Sequence, residues 1–279
     1  MGCPIFAPKI EELEEHGQVD IASYVPRIDV VSEDFEIPQL GKRRRIWALL
    51  PHDYDSNDRR YPVLYLQDAQ NLFDEHAPYG NWAIDRHLAE LSKLGLGDLI
   101  VIAIDHGGQE RIKEYSPYIH RKFGEGQGKH YASFIIETLK PYIDKTYRTL
   151  PDRDHNGIGG SSMGGLISSY IGLIYPQYFS KLMIFSPSFW FSDKIYFNAF
   201  NCDYKFPLRM YIYGGEKESP YMKRHIHRFE DAVKAGENRG ISNEFKIVIN
   251  PDGEHNERFW SDEFPKAIKW LYHPSKIDH

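Results

Sequence analysis

Cysteine is nearly absent from this chain: Cys3 and Cys202 are the only two in 279 residues. So small a supply, so widely spaced, gives no disulfide framework and suits a reducing compartment. Long apolar runs are missing too; none approaches the roughly 20 residues that a membrane-spanning helix needs. Positive charge is also short, with 34 Lys and Arg against 40 Asp and Glu, a net charge of −6. That balance argues against a general binder of nucleic acid or of anionic membrane, since both need a basic field. The run Lys42-Arg43-Arg44-Arg45 is too short to overturn this and reads as a solvated turn or edge strand. A metal-hydrolase HExxH spacing is missing, and His225-x-His227 would not set two ligands on one helical face, so neither metal nor cofactor is expected. The N-terminus has no charged segment followed by an apolar one, and Pro4, Pro8 and the acidic run Glu11 to Glu15 speak against a signal peptide. Gly2 is followed by Phe6 where a myristoylation signal wants Ser or Thr, so a cytoplasmic protein is the expectation.

What is present is enough for a large core: 41% of residues are hydrophobic and 27% charged, which excludes wholesale disorder. Without repeats, low-complexity segments or a linker, the expected organisation is an N-terminal arm over 1–27 and one domain over 28–279. Alternation over Ile28–Pro38 and Arg45–Leu50 predicts a pair of antiparallel edge strands. Apolar runs at Tyr61–Leu66, Leu99–Ile104, Lys181–Ser186, Leu208–Tyr213 and Glu244–Ile249 read as buried strands. Helical patterns fall between and after them, at Trp82–Leu94, Lys129–Tyr147 (with Pro141 as a kink point), Leu166–Tyr175, Tyr221–Ala235 and Glu263–Tyr272. Repeated βα units behind edge strands predict an α/β fold, a mostly parallel mixed sheet with helices on both faces.

One motif then carries chemistry. Gly160-x-Ser162-x-Gly164 matches the nucleophile elbow, where a serine sits on a strained strand-to-helix turn and glycines on either side relieve crowding. Only the frame centred on Ser162 fits, because centring on Ser161 would put Met163 where a glycine is needed. The bland alternative is a glycine-rich turn that packs a helix onto a sheet with an inert serine. A short Gly157-Ile158-Gly159 strand before the motif, a buried helix after it and an apolar strand beyond make the βαβ arrangement that the chemistry requires.

In an α/β-hydrolase the order is serine, acid, histidine, each on a loop at the carboxyl end of a strand. Of the 13 histidines, His225, His227, His255, His273 and His279 follow the elbow. His225 and His227 read as solvated faces of a basic helix, and His273 and His279 as a polar tail. His255 follows the strand Phe245–Ile249 in the turn-rich Asn250–Asn256 segment, where a general base belongs. The loop after Met210–Tyr213 offers Glu216 and Glu218; Glu218 lies deeper and is preferred as the acid that holds the imidazole, with Glu216 as the alternative. The oxyanion hole is expected from the backbone N–H of Met163, at the start of the helix, and of Gln70 in the loop after Tyr61–Leu66. Phe189 and Trp190, with Tyr79, Trp82 and Tyr115, are candidates for lining a substrate pocket, against the equal alternative of plain core packing.

Taken together, Tyr65–Phe73, Glu110-Arg111-x-x-Glu114-Tyr115-Ser116-Pro117, Gly160–Gly165, Ser186-Pro187-Ser188 and Gly214–Glu218 resemble the esterase D-like family of α/β-hydrolases, over about residues 28 to 272. Ala69 departs from a glycine frequent in that family. The resemblance implies Ser162 as nucleophile, His255 as base and Glu218 as acid in a serine esterase acting on a small-molecule ester. The rival expectations are acyl transfer to an acceptor other than water, and a non-catalytic binding protein on the same fold. Homo-oligomerisation is left open.

Overall fold

In the computed structural model, which describes residues 21–73, 77, 80–202, 205–237 and 242–273, two antiparallel strands open the sheet; the first is an edge strand, whereas the second, expected as an edge strand too, is paired on both sides. Arg27–Ile37 (β1) and Lys42–Leu50 (β2) pair antiparallel, as the alternation predicted. Val63–Gln67 (β3) leads through the buried turn Ala69–Asn71 towards helix Ile84–Lys93 (α1), and Ile100–Ile104 (β4) follows. Arg111–Glu114 (α2) and a small hairpin of Ile119–His120 (β5) and Gly124–Glu125 (β6) come next; sequence periodicity did not flag these short elements.

The helix expected across 129–147 is built in three pieces: Gly128–Ser133 (α3), a π-helical stretch Phe134–Leu139 and Lys140–Thr146 (α4). The wider π turns lie just ahead of Pro141, whose ring cannot donate to the carbonyl one turn back. Asn156–Ser161 (β7) then feeds Met163–Ile174 (α5), followed by Lys181–Phe185 (β8) and the unanticipated Lys194–Phe200 (α6). Arg209–Gly215 (β9), Met222–Gly236 (α7), Glu244–Asn250 (β10) and Glu257–Tyr272 (α8) complete the order.

The strand order is β1-β2-β4-β3-β7-β8-β9-β10, with β1, β2 and β4 joined antiparallel and every pair from β4 to β10 parallel. Successive side chains enter opposite cores, as strict alternation requires when both faces are covered. Leu182 and Ile184 of β8 join the core that takes α5, α6 and α7, while Met183 and Phe185 join the core that takes α1 and α8. The chain therefore has the α/β-hydrolase architecture expected from its pattern. Because β3, β7, β8, β9 and β10 are neighbours and run the same way, the loops after all five emerge on one edge of the sheet, where open α/β sheets bind ligands.

α8 begins six positions earlier than its pattern suggested. A proline near the start of an apolar periodicity reads as a first-turn residue, yet Pro265 lies well inside this helix. The consequence is functional: the helix starts two residues after His255.

Candidate active site

β7 ends at Ser161, and the next residue turns the chain. Ser162 has φ 57° and ψ −120°, a strained conformation for a residue with a Cβ, and its N–H donates to the Phe185 carbonyl at 2.9 Å. Gly164 is needed for a close approach: a Cβ there would lie 2.9 Å from an Asp68 carboxylate oxygen and 3.1 Å from Gln67 Cβ. The N–H of Met163 belongs to the first turn of α5, where a helix leaves its donors without intrahelical partners.

The loop after β3 is fixed from three sides. Asp68, itself left-handed at φ 63°, takes a two-pronged bond from Arg111, Nε to Oδ1 at 2.6 Å and Nη2 to Oδ2 at 2.8 Å. Burial works against the Arg111 charge, but the Asp68 carboxylate beside it holds the guanidinium above its ordinary pKa. The Gln70 side chain bonds the main chain of His106 both ways, accepting from its N–H at 2.9 Å and donating to its carbonyl at 3.2 Å. Asn71 Nδ2 reaches Glu257 Oε1 on α8 at 3.3 Å, and desolvation raises the pKa of that Glu257 carboxyl. The sequence motif around Arg111 thus clamps the loop that carries Gln70. Replacing Arg111 by Met strands a buried Asp68 carboxylate; we expect about 3–5 kcal/mol lower stability by urea denaturation, with turnover falling as the loop loosens.

On the other side, the β9 and β10 loops are stitched together. Gly215 and Gly253 touch so closely that a Cβ on Gly215 would meet the Gly253 carbonyl oxygen at 2.2 Å, so only glycine fits there. The stitching brings His255 Nδ1 to 2.7 Å from Glu218 Oε2, with the Glu218 side chain 1% exposed. Glu216 instead stands in solvent, 3.2 Å from Lys223 Nζ. Glu218 Oε1 accepts from the Gly215 N–H at 2.6 Å and from Ser186 Oγ at 2.7 Å. Ser186 Oγ in turn accepts from Trp260 Nε1 at 2.8 Å, and the Trp260 ring packs edge-on against His255, centroids 5.0 Å apart. Ser186 and Trp260 were missed as support for the site. Trp260 gave no signal beyond its position five residues after His255, while Ser186 stood in the Ser186-Pro187-Ser188 segment of the family resemblance with no role assigned to it.

Ser162 and His255 both line two clefts, one on each side. The first, of about 650 Å³, is walled by Pro187, Ser188, Trp190, Tyr221, Met222 and His225. The second, of about 660 Å³, is bordered by Gln70, Asn71, His106, Arg111 and Glu257. The hydrogen bond described for Ser162 Oγ goes to Ser188 Oγ at 3.3 Å, and none between Ser162 and His255 is found among the described residues; hydrogen bonds of catalytic groups are often long or poorly aligned without substrate.

Of the aromatic candidates, Trp190 is 57% exposed and lines the first cleft. Three others are placed in the cores, where large flat rings fill space between sheet and helices. Trp82 stacks on Phe185 at 5.2 Å, Phe189 on Phe229 at 4.5 Å, and Tyr115 lies between the Arg111 guanidinium and Tyr131. Tyr79 falls outside the described residues. His225, read from sequence as solvated, is half-buried and borders the first cleft.

Sheet order, elbow and loop placement define the α/β-hydrolase class. The chain belongs to the family described as "Putative esterase", whose model matches residues 37–271, and it is a carboxylic ester hydrolase. It is similar to the uncharacterized protein YbbA of Bacillus subtilis, 24% identical across 82% of this chain and 92% of that one. It is also similar to the esterase Rv1288 of Mycobacterium tuberculosis, 29% identical over 47% of this chain but only 26% of that much longer protein. Among solved structures, an IroE-like serine hydrolase from Shewanella oneidensis superposes with TM-score 0.68 over 88% of this chain and 80% of that one, at 20% identity, a likeness of fold. Among the described residues, no helix is long and apolar enough to cross a membrane.

Proposed function

We propose that the single domain spanning residues 28–279 hydrolyses a small-molecule ester through an acyl-enzyme on Ser162, with His255 as general base and Glu218 as the acid that orients it. The observation that carries this reading is the 2.7 Å bond from a buried glutamate to a histidine that shares both clefts with a strained serine. With Nδ1 engaged by Glu218, the imidazole keeps Nε2 unprotonated and able to accept. Ser162 Oγ attacks the ester carbonyl as His255 Nε2 takes its proton. The oxyanion that forms is held by the N–H groups of Met163 and Gln70. Collapse breaks the ester C–O bond, and His255 returns the proton to the leaving alcohol. Water then gives its proton to Nε2 and attacks the acyl carbon; the acyl–Oγ bond breaks as His255 returns that proton to Ser162 Oγ, releasing the acid.

Product analysis in the presence of an added primary alcohol tests the acceptor. Free acid should dominate; a new ester as main product would make the protein an acyltransferase.

A further inference from the structure

His225 projects from α7 into the wall of the first cleft, opposite a role for which its helix position gave no hint. Its Nδ1 lies 2.6 Å from the Tyr196 hydroxyl on α6. A phenol has one proton to give, and its other acceptor, the Phe189 carbonyl, is 3.5 Å away, well beyond a good O–H···O distance. The proton therefore lies on the short bond, with Tyr196 donating and His225 Nδ1 accepting. Burial lowers the His225 pKa, and Arg228 and Arg224 add to the effect against Asp193, so the ring is neutral near pH 7. A neutral imidazole that accepts at Nδ1 carries its hydrogen on Nε2. Nε2–H is then the donor left to the cleft, and no partner for it is described among the described residues.

The cleft also carries the hydroxyls of Ser188 and Ser219 beside Ser162, Glu218 and His255, and the rest of its wall is apolar or aromatic. Trp190 and Tyr221, 57% and 59% exposed, line the cleft together with Pro187 and Met222. A donor with a fixed direction beside such a stretch discriminates, because an arm without an acceptor leaves it desolvated and unpaired, whereas the Ser188 and Ser219 hydroxyls can turn to other partners. Arg228 lies over the Tyr196 ring at 4.0 Å and pairs with Asp193 at 2.6 Å, which fixes the phenol that fixes the histidine.

We infer that His225 is a specificity determinant, held as a single-tautomer donor by Tyr196, that selects esters whose arm in this cleft carries a neutral hydrogen-bond acceptor over all-methylene arms of equal length. This deepens the proposed hydrolase reading and rests on it.

The test uses two ester series of constant length, one with an ether oxygen moved along the acyl arm and one along the alcohol arm, followed by acid release in a pH-stat. At one position in one series, kcat/KM should exceed that of the all-methylene ester by about three- to tenfold. His225→Leu should bring that ratio to one, His225→Gln should keep part of it through its amide N–H, and Tyr196→Phe should reduce it by freeing the tautomer. Each ratio is taken on one preparation, so partial unfolding of a variant does not alter it. Equal rates at every position, or a preference that survives His225→Leu, would overturn the inference. Failure of the triad is separate: Ser162→Ala activity would reveal it whatever the ether ratio shows.

Discussion

Replacing His255 by alanine should lower kcat/KM on p-nitrophenyl acetate by about 10³-fold or more, with the fold retained. The magnitude follows from losing both roles of one group, proton acceptor in acylation and activator of water in deacylation. The fold should survive because the side chain is 41% exposed and, among the described residues, is held by a hydrogen bond to Glu218 and an edge contact with Trp260. Near-UV circular dichroism and the urea midpoint report the fold, and initial rates report the chemistry. A variant that keeps a tenth of the wild-type rate would remove His255 from the mechanism.

The second large effect is expected at Glu218, and its direction comes from the two donors at Oε1. In Glu218→Gln, the Gly215 N–H and the Ser186 hydroxyl hold the amide oxygen where Oε1 now sits. The NH₂ group is then placed opposite His255 Nδ1 and donates to it. That forces the imidazole proton onto Nε2, the atom that must accept from Ser162. Turnover should fall by about 10³–10⁴-fold with KM little changed, whereas Glu216→Gln, which loses only an exposed pair with Lys223, should stay within about twofold. Steady-state kinetics of both variants decide it; a larger loss at Glu216 would reverse the assignment.

Much of this was written in the chain at short range. Apolar runs bounded by turns marked every strand from β8 to β10, because parallel strands buried on both faces need unbroken apolar sequence. β7 was faint, since Asn156–Ser161 contains three glycines, and what makes it a strand is its pairing with β3 and β8 on either side. Chain order pointed to Ser162 and His255 and narrowed the acid to one loop, where Glu218 was preferred and Glu216 was the alternative. The supports were illegible for a different reason: Asp68 and Arg111 lie 43 residues apart, and Ser186 and Trp260 lie 74 apart. Such contacts follow from the sheet bringing loop ends together, which no local pattern reports. His225 shows the same limit, because helical periodicity names faces but not what packs against them.

The most direct measurement is peptide-level mass spectrometry after exposure to a fluorophosphonate probe, which phosphonylates only an activated serine. One adduct per chain on the peptide containing Ser162, absent in Ser162→Ala and strongly slowed in His255→Ala, is the predicted result. No adduct, or one on a serine other than Ser162, would contradict the proposed nucleophile.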